Sequence, residues 1–333
     1  MGKKLVVHIG LPKTATTSVQ THFFPQVAGY LGSRHSSIQV DSQGDGPTEA
    51  FGEFTEIHDA YCKGQDWDSR LSDWAHNLDF SEQPVRVISY ENLARWSSPP
   101  KVDVSQWPVG RAHQGDVPRT GAPPVTVFLA KLKDVLPSDV SLFTIVTLRN
   151  QADFLGSLAA QLGARGAVID RVIHREDAFV DFYLLVTELE KVSGPPQHLT
   201  LLFEDGVEHN CKKIVEFAGL TPLKEGFNFE PGKAQGVKRT GNNTWRADYA
   251  PSYPTWGIFL GLRKVVHWGF PRLVPAMKEI NRFVIRRMMA VGGAFGQTVS
   301  ISDGDRLKLQ VHCEPSNQRL AEHLKRDLAS LGY

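Results

Sequence analysis

The sequence predicts an α/β protein with a parallel sheet flanked by helices, and two patterns predict it. Four short runs rich in β-branched and aliphatic residues are spread along the chain: Leu5 to Ile9, Val85 to Ser89, Leu142 to Leu148 and Leu199 to Phe203. Each is bounded by polar or turn residues and lacks polar alternation, as expected of strands covered on both faces. Between them, apolar residues recur at helical spacing. Strands alternating with helices imply parallel crossovers, with ligands bound at the carboxyl ends of the strands.

Each element follows in order. Leu5–Ile9 is the first strand. The segment behind it, His8-Ile9-Gly10-Leu11-Pro12-Lys13-Thr14-Ala15-Thr16-Thr17-Ser18-Val19-Gln20, sets a lysine and four hydroxyl residues after a buried strand. A helical region carrying His58 follows, then a helix with Trp67, Leu71, Trp74 and Leu78 on one side. Val85–Ser89 is the second strand and ends at Tyr90-Glu91. Trp96 to Pro124 interrupts the rhythm with six prolines and three glycines, and reads as a long loop insertion of the kind used as a lid or an acceptor-binding loop. The third strand runs into Arg149. A helix with Phe179, Phe182, Tyr183, Val186 and Leu189 on one side leads to the fourth strand.

The 333 residues can bury a full core, and a single domain over 1–333 is expected. Lys plus Arg (37) nearly balance Asp plus Glu (36), so no global field marks a nucleic-acid partner, and any anion site must be local. Cys62, Cys211 and Cys313 are far apart and free of metal-ligand spacing, which points to reduced thiols and a cytoplasmic protein. The amino-terminal apolar stretch is too short for a signal-peptide core, and no run is long enough to span a membrane. No metal site is expected, because carboxylates and histidines do not cluster at ligand spacing.

A strand, a tight turn and a helix that opens on hydroxyl residues can cradle a phosphate, since the first helical N–H groups lack partners and the helix dipole favours an anion. The nucleotide-triphosphatase pattern G-x-x-x-x-G-K-[ST] does not fit. With Lys13 as its lysine, Val7 and Pro12 stand where its glycines belong.

Pro12-Lys13-Thr14-Ala15-Thr16-Thr17 instead resembles P-K-[ST]-G-T-[ST], the 5′-phosphosulfate loop of sulfotransferases that use 3′-phosphoadenosine 5′-phosphosulfate (PAPS); alanine stands where the pattern has glycine. Thr147-Leu148-Arg149-Asn150 through Ser157 resembles the 3′-phosphate segment, an arginine at a strand end and a serine two turns into the next helix. Leu201 to Leu220 and Gly236 to Asn243, with Lys238 and Arg239, are similar to later segments of that family, as is Ser316-Asn317-Gln318-Arg319-Leu320-Ala321 to the carboxyl-terminal pattern of its bacterial branch. The resemblance covers most of the chain and is weak over about 96–124 and 251–293.

The resemblance implies a P-loop-like sulfotransferase fold and transfer of the sulfuryl group of PAPS, without metal, to a hydroxyl or amine of a carbohydrate, glycolipid or other small acceptor. Pro12, Lys13, Thr14, Ala15, Thr16, Thr17, Arg149, Ser157, Lys238 and Arg239 would bind the donor. Lys13 would neutralise the leaving oxygen. The base would be Glu91, in a segment similar to the bacterial S-S-E-x-L strand end, with His58 as the second candidate. A kinase using ATP and a non-catalytic nucleotide-binding protein on the same fold are the alternative readings. Residues 262–289 set seven basic residues against Glu279. They read as a solvated helix face, or as contact with an anionic acceptor or the inner membrane surface.

Overall fold

A computed structural model describes residues 2–11, 14–32, 48–94, 124–162, 181–222, 237–241, 244–247 and 297–333. The long loop insertion except Pro124, all of 251–293, and Pro12 and Lys13 lie outside them. The expected α/β class is found. Four parallel strands, β1 (Lys3–Gly10), β2 (Val85–Tyr90), β3 (Val140–Leu148) and β4 (His198–Leu202), form a sheet in the order β2-β1-β3-β4. All four expected strands are present, each within two residues of its expected bounds. Register pairs His8 with Ser89 across β1 and β2, Gly10 with Thr147 across β1 and β3, and Leu148 with Leu202 across β3 and β4.

Alternation along β1 sorts the core into two layers. Leu5, Val7 and Ile9 face a large cluster built from α2 (Glu49–Cys62), α3 (Asp68–Asn77), α4 (Pro124–Val135), α5 (Gln151–Leu162), α6 (Phe182–Ser193) and α8 (Asp303–Leu324). Val6 faces the other layer, with Phe23 and Phe24 after the short α1 (Thr16–Ser18) and Cys211, Ile214 and Ala218 of α7 (Val207–Ala218). Helices therefore cover both faces, which is why the strands read as continuous apolar runs. The helix ends follow local chemistry: the side chains of Thr48, Asp181 and Ser302 accept the N–H groups of Phe51, Leu184 and Asp305, and left-handed Gly219 closes α7. A second, antiparallel sheet of β5 (Val237–Gly241), β6 (Thr244–Ala247) and β7 (Gln297–Ser300) packs against α5.

Three buried histidines give the fold an acid dependence. Burial lowers His8, His58 and His198 to about 4, with repulsion from His323 adding to the effect at His198. The fold favours the neutral rings, whereas the unfolded chain takes up protons near pH 6.5. Their contribution is therefore complete above about pH 6.5 and is lost as pH falls toward 4, by about 3 kcal/mol for each ring. Urea unfolding at pH 7 and at pH 4.5 should show a lower midpoint at the acid value; equal midpoints would contradict the burial of these rings as neutral species.

Candidate functional site

The carboxyl edge of the parallel sheet gathers the residues expected to carry chemistry. Glu91 begins the short helical turn Glu91–Ala94 directly after β2, the Lys13 loop follows β1, and Arg149 follows β3. Because β1 lies between β2 and β3, the ends of the outer pair stand about 10 Å apart across it. Three expected contributors that are far apart in sequence thus belong to one edge.

The loop after β1 is tightly folded where it is described. The Thr14 hydroxyl donates to the Leu11 carbonyl at 2.7 Å and the Thr16 hydroxyl to the same oxygen at 3.1 Å. Both threonines are buried, so their hydroxyl protons brace the turn. The amides that open α1 have no intrahelical acceptor. Gly10 is needed for this packing, since a Cβ there would lie 2.2 Å from Thr16 Cγ2.

Ala15 answers the question raised by its departure from the loop pattern. Its backbone is left-handed, with φ 60° and ψ 20°, the conformation that suits glycine. The chain accepts a strain of about 1–2 kcal/mol to hold the turn. Ala15→Gly should relieve it, partly offset by the greater freedom of glycine in the unfolded chain, for a net gain of about 1 kcal/mol in urea unfolding. A loss of stability in that variant would contradict the left-handed assignment.

Beneath the loop lies a polar cluster whose role the sequence did not suggest. His8 Nδ1 is 2.7 Å from Ser89 Oγ, and the Gln20 amide donates to both the carbonyl and the hydroxyl of Ser89, at 3.0 and 3.1 Å. All three residues are buried. With Ser89 accepting from Gln20 and donating to His8, a neutral imidazole satisfies the arrangement, in keeping with its lowered pKa. The cluster ties the helix after the loop to the end of β2, two residues before Glu91. The one available signal was a histidine inside the apolar run of β1.

His58, the second candidate base, is 2% exposed on α2. Its ring meets Tyr90 at 5.5 Å and Phe128 at 5.1 Å, both edge to face, and Cys62 Sγ lies 3.7 Å from Nε2. Glu91 is half-buried at the sheet edge. The two candidates therefore differ in access, with His58 held neutral inside an aromatic cluster.

The Arg149 segment is the most thoroughly braced part of the edge. The guanidinium carbon lies 4.5 Å from the Phe203 ring centroid. Asn150 caps α5 by accepting the Asp153 N–H at 3.1 Å, and its own amide donates to Glu204 Oε1 at 2.8 Å. Ser157 is buried two turns into α5. Ser316 and Asn317 dock the last helix. Ser316 donates to Asp181 at 2.6 Å, and Asn317 accepts from Gln151 at 2.6 Å. That carboxyl-terminal motif thus joins α8 to the helix after Arg149. Lys238 and Arg239 lie on β5 of the small sheet that packs against α5.

Among the described residues, no group of three or more His, Cys, Asp or Glu side chains could hold a metal ion. Burial raises the thiols of Cys211 and Cys313 to about 12 and that of Cys62 to about 11, so all three are weak nucleophiles. No helix among the described residues is long and apolar enough to cross a membrane. Compared with protein-family models, with curated proteins and with solved structures, the chain matches none of them.

Proposed function

We propose that the chain is a PAPS-dependent sulfotransferase acting on a hydroxyl, or secondarily an amine, of a carbohydrate, glycolipid or other small acceptor. The observation that carries this reading is the strand order β2-β1-β3, which makes Glu91, the Lys13 loop and Arg149 neighbours along one sheet edge. A donor with phosphates on both the 3′ and the 5′ oxygen of its ribose needs two separated anion-binding sites, and in this reading the loop after β1 and the arginine after β3 supply them. Strain at Ala15 supports the reading, because a left-handed alanine persists only where surrounding structure holds the turn.

In this reaction the acceptor oxygen attacks sulfur, the bond from sulfur to the 5′-phosphate oxygen breaks, and the acceptor proton passes to Glu91. Lys13 and the amides opening α1 neutralise charge on the departing phosphate, while Arg149 and Ser157 hold the 3′-phosphate. Arginine suits that contact through its forked donors.

Thermal-shift titrations with PAPS, adenosine 3′,5′-bisphosphate and ATP test the reading. Stabilisation by both adenosine 3′-phosphates without magnesium is the expected result. A shift only with ATP and magnesium would favour a kinase, and binding of PAPS without turnover on any acceptor would favour a non-catalytic nucleotide-binding protein.

A further inference from the structure

Glu204 and Tyr333 share a hydrogen bond next to Asn150, the residue that follows Arg149, although 129 residues separate them. Glu204 sits in the turn Phe203–Asp205 directly after β4, the strand next to β3. One carboxylate oxygen accepts the Asn150 N–H at 2.8 Å and the other accepts the Tyr333 hydroxyl at 3.0 Å. The Asn150 side-chain amide donates to the Gly332 carbonyl, and the Asn150 carbonyl accepts the Phe154 N–H at 2.8 Å. Asn150 thus bonds through its amide, its carbonyl and both ends of its side chain, which fixes the backbone immediately after Arg149.

The segment that delivers Tyr333 is itself anchored. Leu328 is 1% exposed, and its carbonyl accepts the Leu331 and Tyr333 N–H groups at 3.1 Å. Gly332 has φ 83°, and a Cβ there would come within 3.0 Å of Asn150 Nδ2. The turn is therefore shaped to fit against Asn150. The Glu204 carboxylate attracts the Arg149 guanidinium, while the Phe203 ring lies 4.5 Å from the guanidinium carbon.

We propose that Glu204 and Tyr333 are a positioning pair for Arg149, holding the strand-to-helix corner and the guanidinium in the orientation that receives the 3′-phosphate of the donor. The proposal rests on the donor reading above. Neither residue touches the donor. Their effect is to order a long, flexible cation before the phosphate arrives, so that less freedom is lost on binding. Tyr333→Phe removes the hydroxyl donor and keeps the ring, and Glu204→Gln keeps an oxygen for the Asn150 amide but removes the charge.

Isothermal titration of the full chain with adenosine 3′,5′-bisphosphate and with adenosine 5′-monophosphate, which lacks the 3′-phosphate, tests the pair. The wild type should prefer the bisphosphate, and Arg149→Ala should abolish the preference. Tyr333→Phe and Glu204→Gln should each weaken bisphosphate binding by about 3–10-fold and leave monophosphate binding unchanged. Wild-type bisphosphate affinity in both variants, with the loss confined to Arg149→Ala, would overturn the pair and leave the donor reading standing. Equal weakening for both nucleotides would also overturn it, since general loosening does not select the 3′-phosphate. A wild type without preference for the bisphosphate would overturn the pair together with the donor reading.

Discussion

Glu91→Gln is expected to lower turnover by about 10²–10⁴-fold while leaving PAPS affinity unchanged. Glutamine keeps the shape and hydrogen-bonding capacity of the side chain but cannot take the acceptor proton. Glu91 begins the turn after β2, where the register Ile9 to Tyr90 sets it level with the end of β1. His58→Ala should leave the chemical step largely intact, because that ring is 2% exposed, packed against Tyr90 and Phe128, and lowered to about 4 by burial. Its removal should instead cost stability by opening a cavity in the aromatic cluster. Steady-state kinetics with urea unfolding of both variants separates the roles. Loss of turnover in a stably folded His58→Ala, with Glu91→Gln active, would transfer the proton-accepting role to His58.

Lys13→Ala is expected to lower transfer by about 10²–10³-fold, the size of effect seen when one preorganised donor to developing charge is removed. The loss should fall mainly on kcat, because the charge on the leaving oxygen grows as its bond to sulfur breaks. The fold should survive, since the turn around this residue is braced by the Thr14 and Thr16 hydroxyls on the Leu11 carbonyl and by the close fit of Thr16 on Gly10. Unchanged kcat in Lys13→Ala would remove the lysine from the chemical step.

The parallel sheet was legible in the sequence because strands buried on both faces leave a mostly apolar run, as Leu5 to Ile9 does apart from His8. The order of those strands was less so, since it depends on which helices cover which face. The loop after β1 was legible as a motif, but the backbone of Ala15 was not: alanine ordinarily avoids positive φ, and the left-handed turn is held by the hydrogen bonds of Thr14 and Thr16 to the Leu11 carbonyl. The sequence did not show that the Thr14 and Thr16 hydroxyls both donate to the Leu11 carbonyl. His58 stood as the second candidate base, and residue type alone did not show that its ring is 2% exposed. The contact between Glu204 and Tyr333 was not legible for a similar reason, as their hydrogen bond joins a strand end to a segment 129 residues away. The basic residues 262–289 and the long Pro/Gly-rich insertion lie outside the described residues.

Release of adenosine 3′,5′-bisphosphate from PAPS, followed by chromatography with a sulfur-labelled donor across a panel of saccharide and glycolipid acceptors, tests the proposed sulfuryl transfer most directly. The expected result is label in at least one acceptor, in equal amount to the bisphosphate released, without added magnesium and at a rate that falls in Lys13→Ala and Glu91→Gln. Transfer of the γ-phosphate of ATP to the same acceptors, with PAPS left intact, would contradict it.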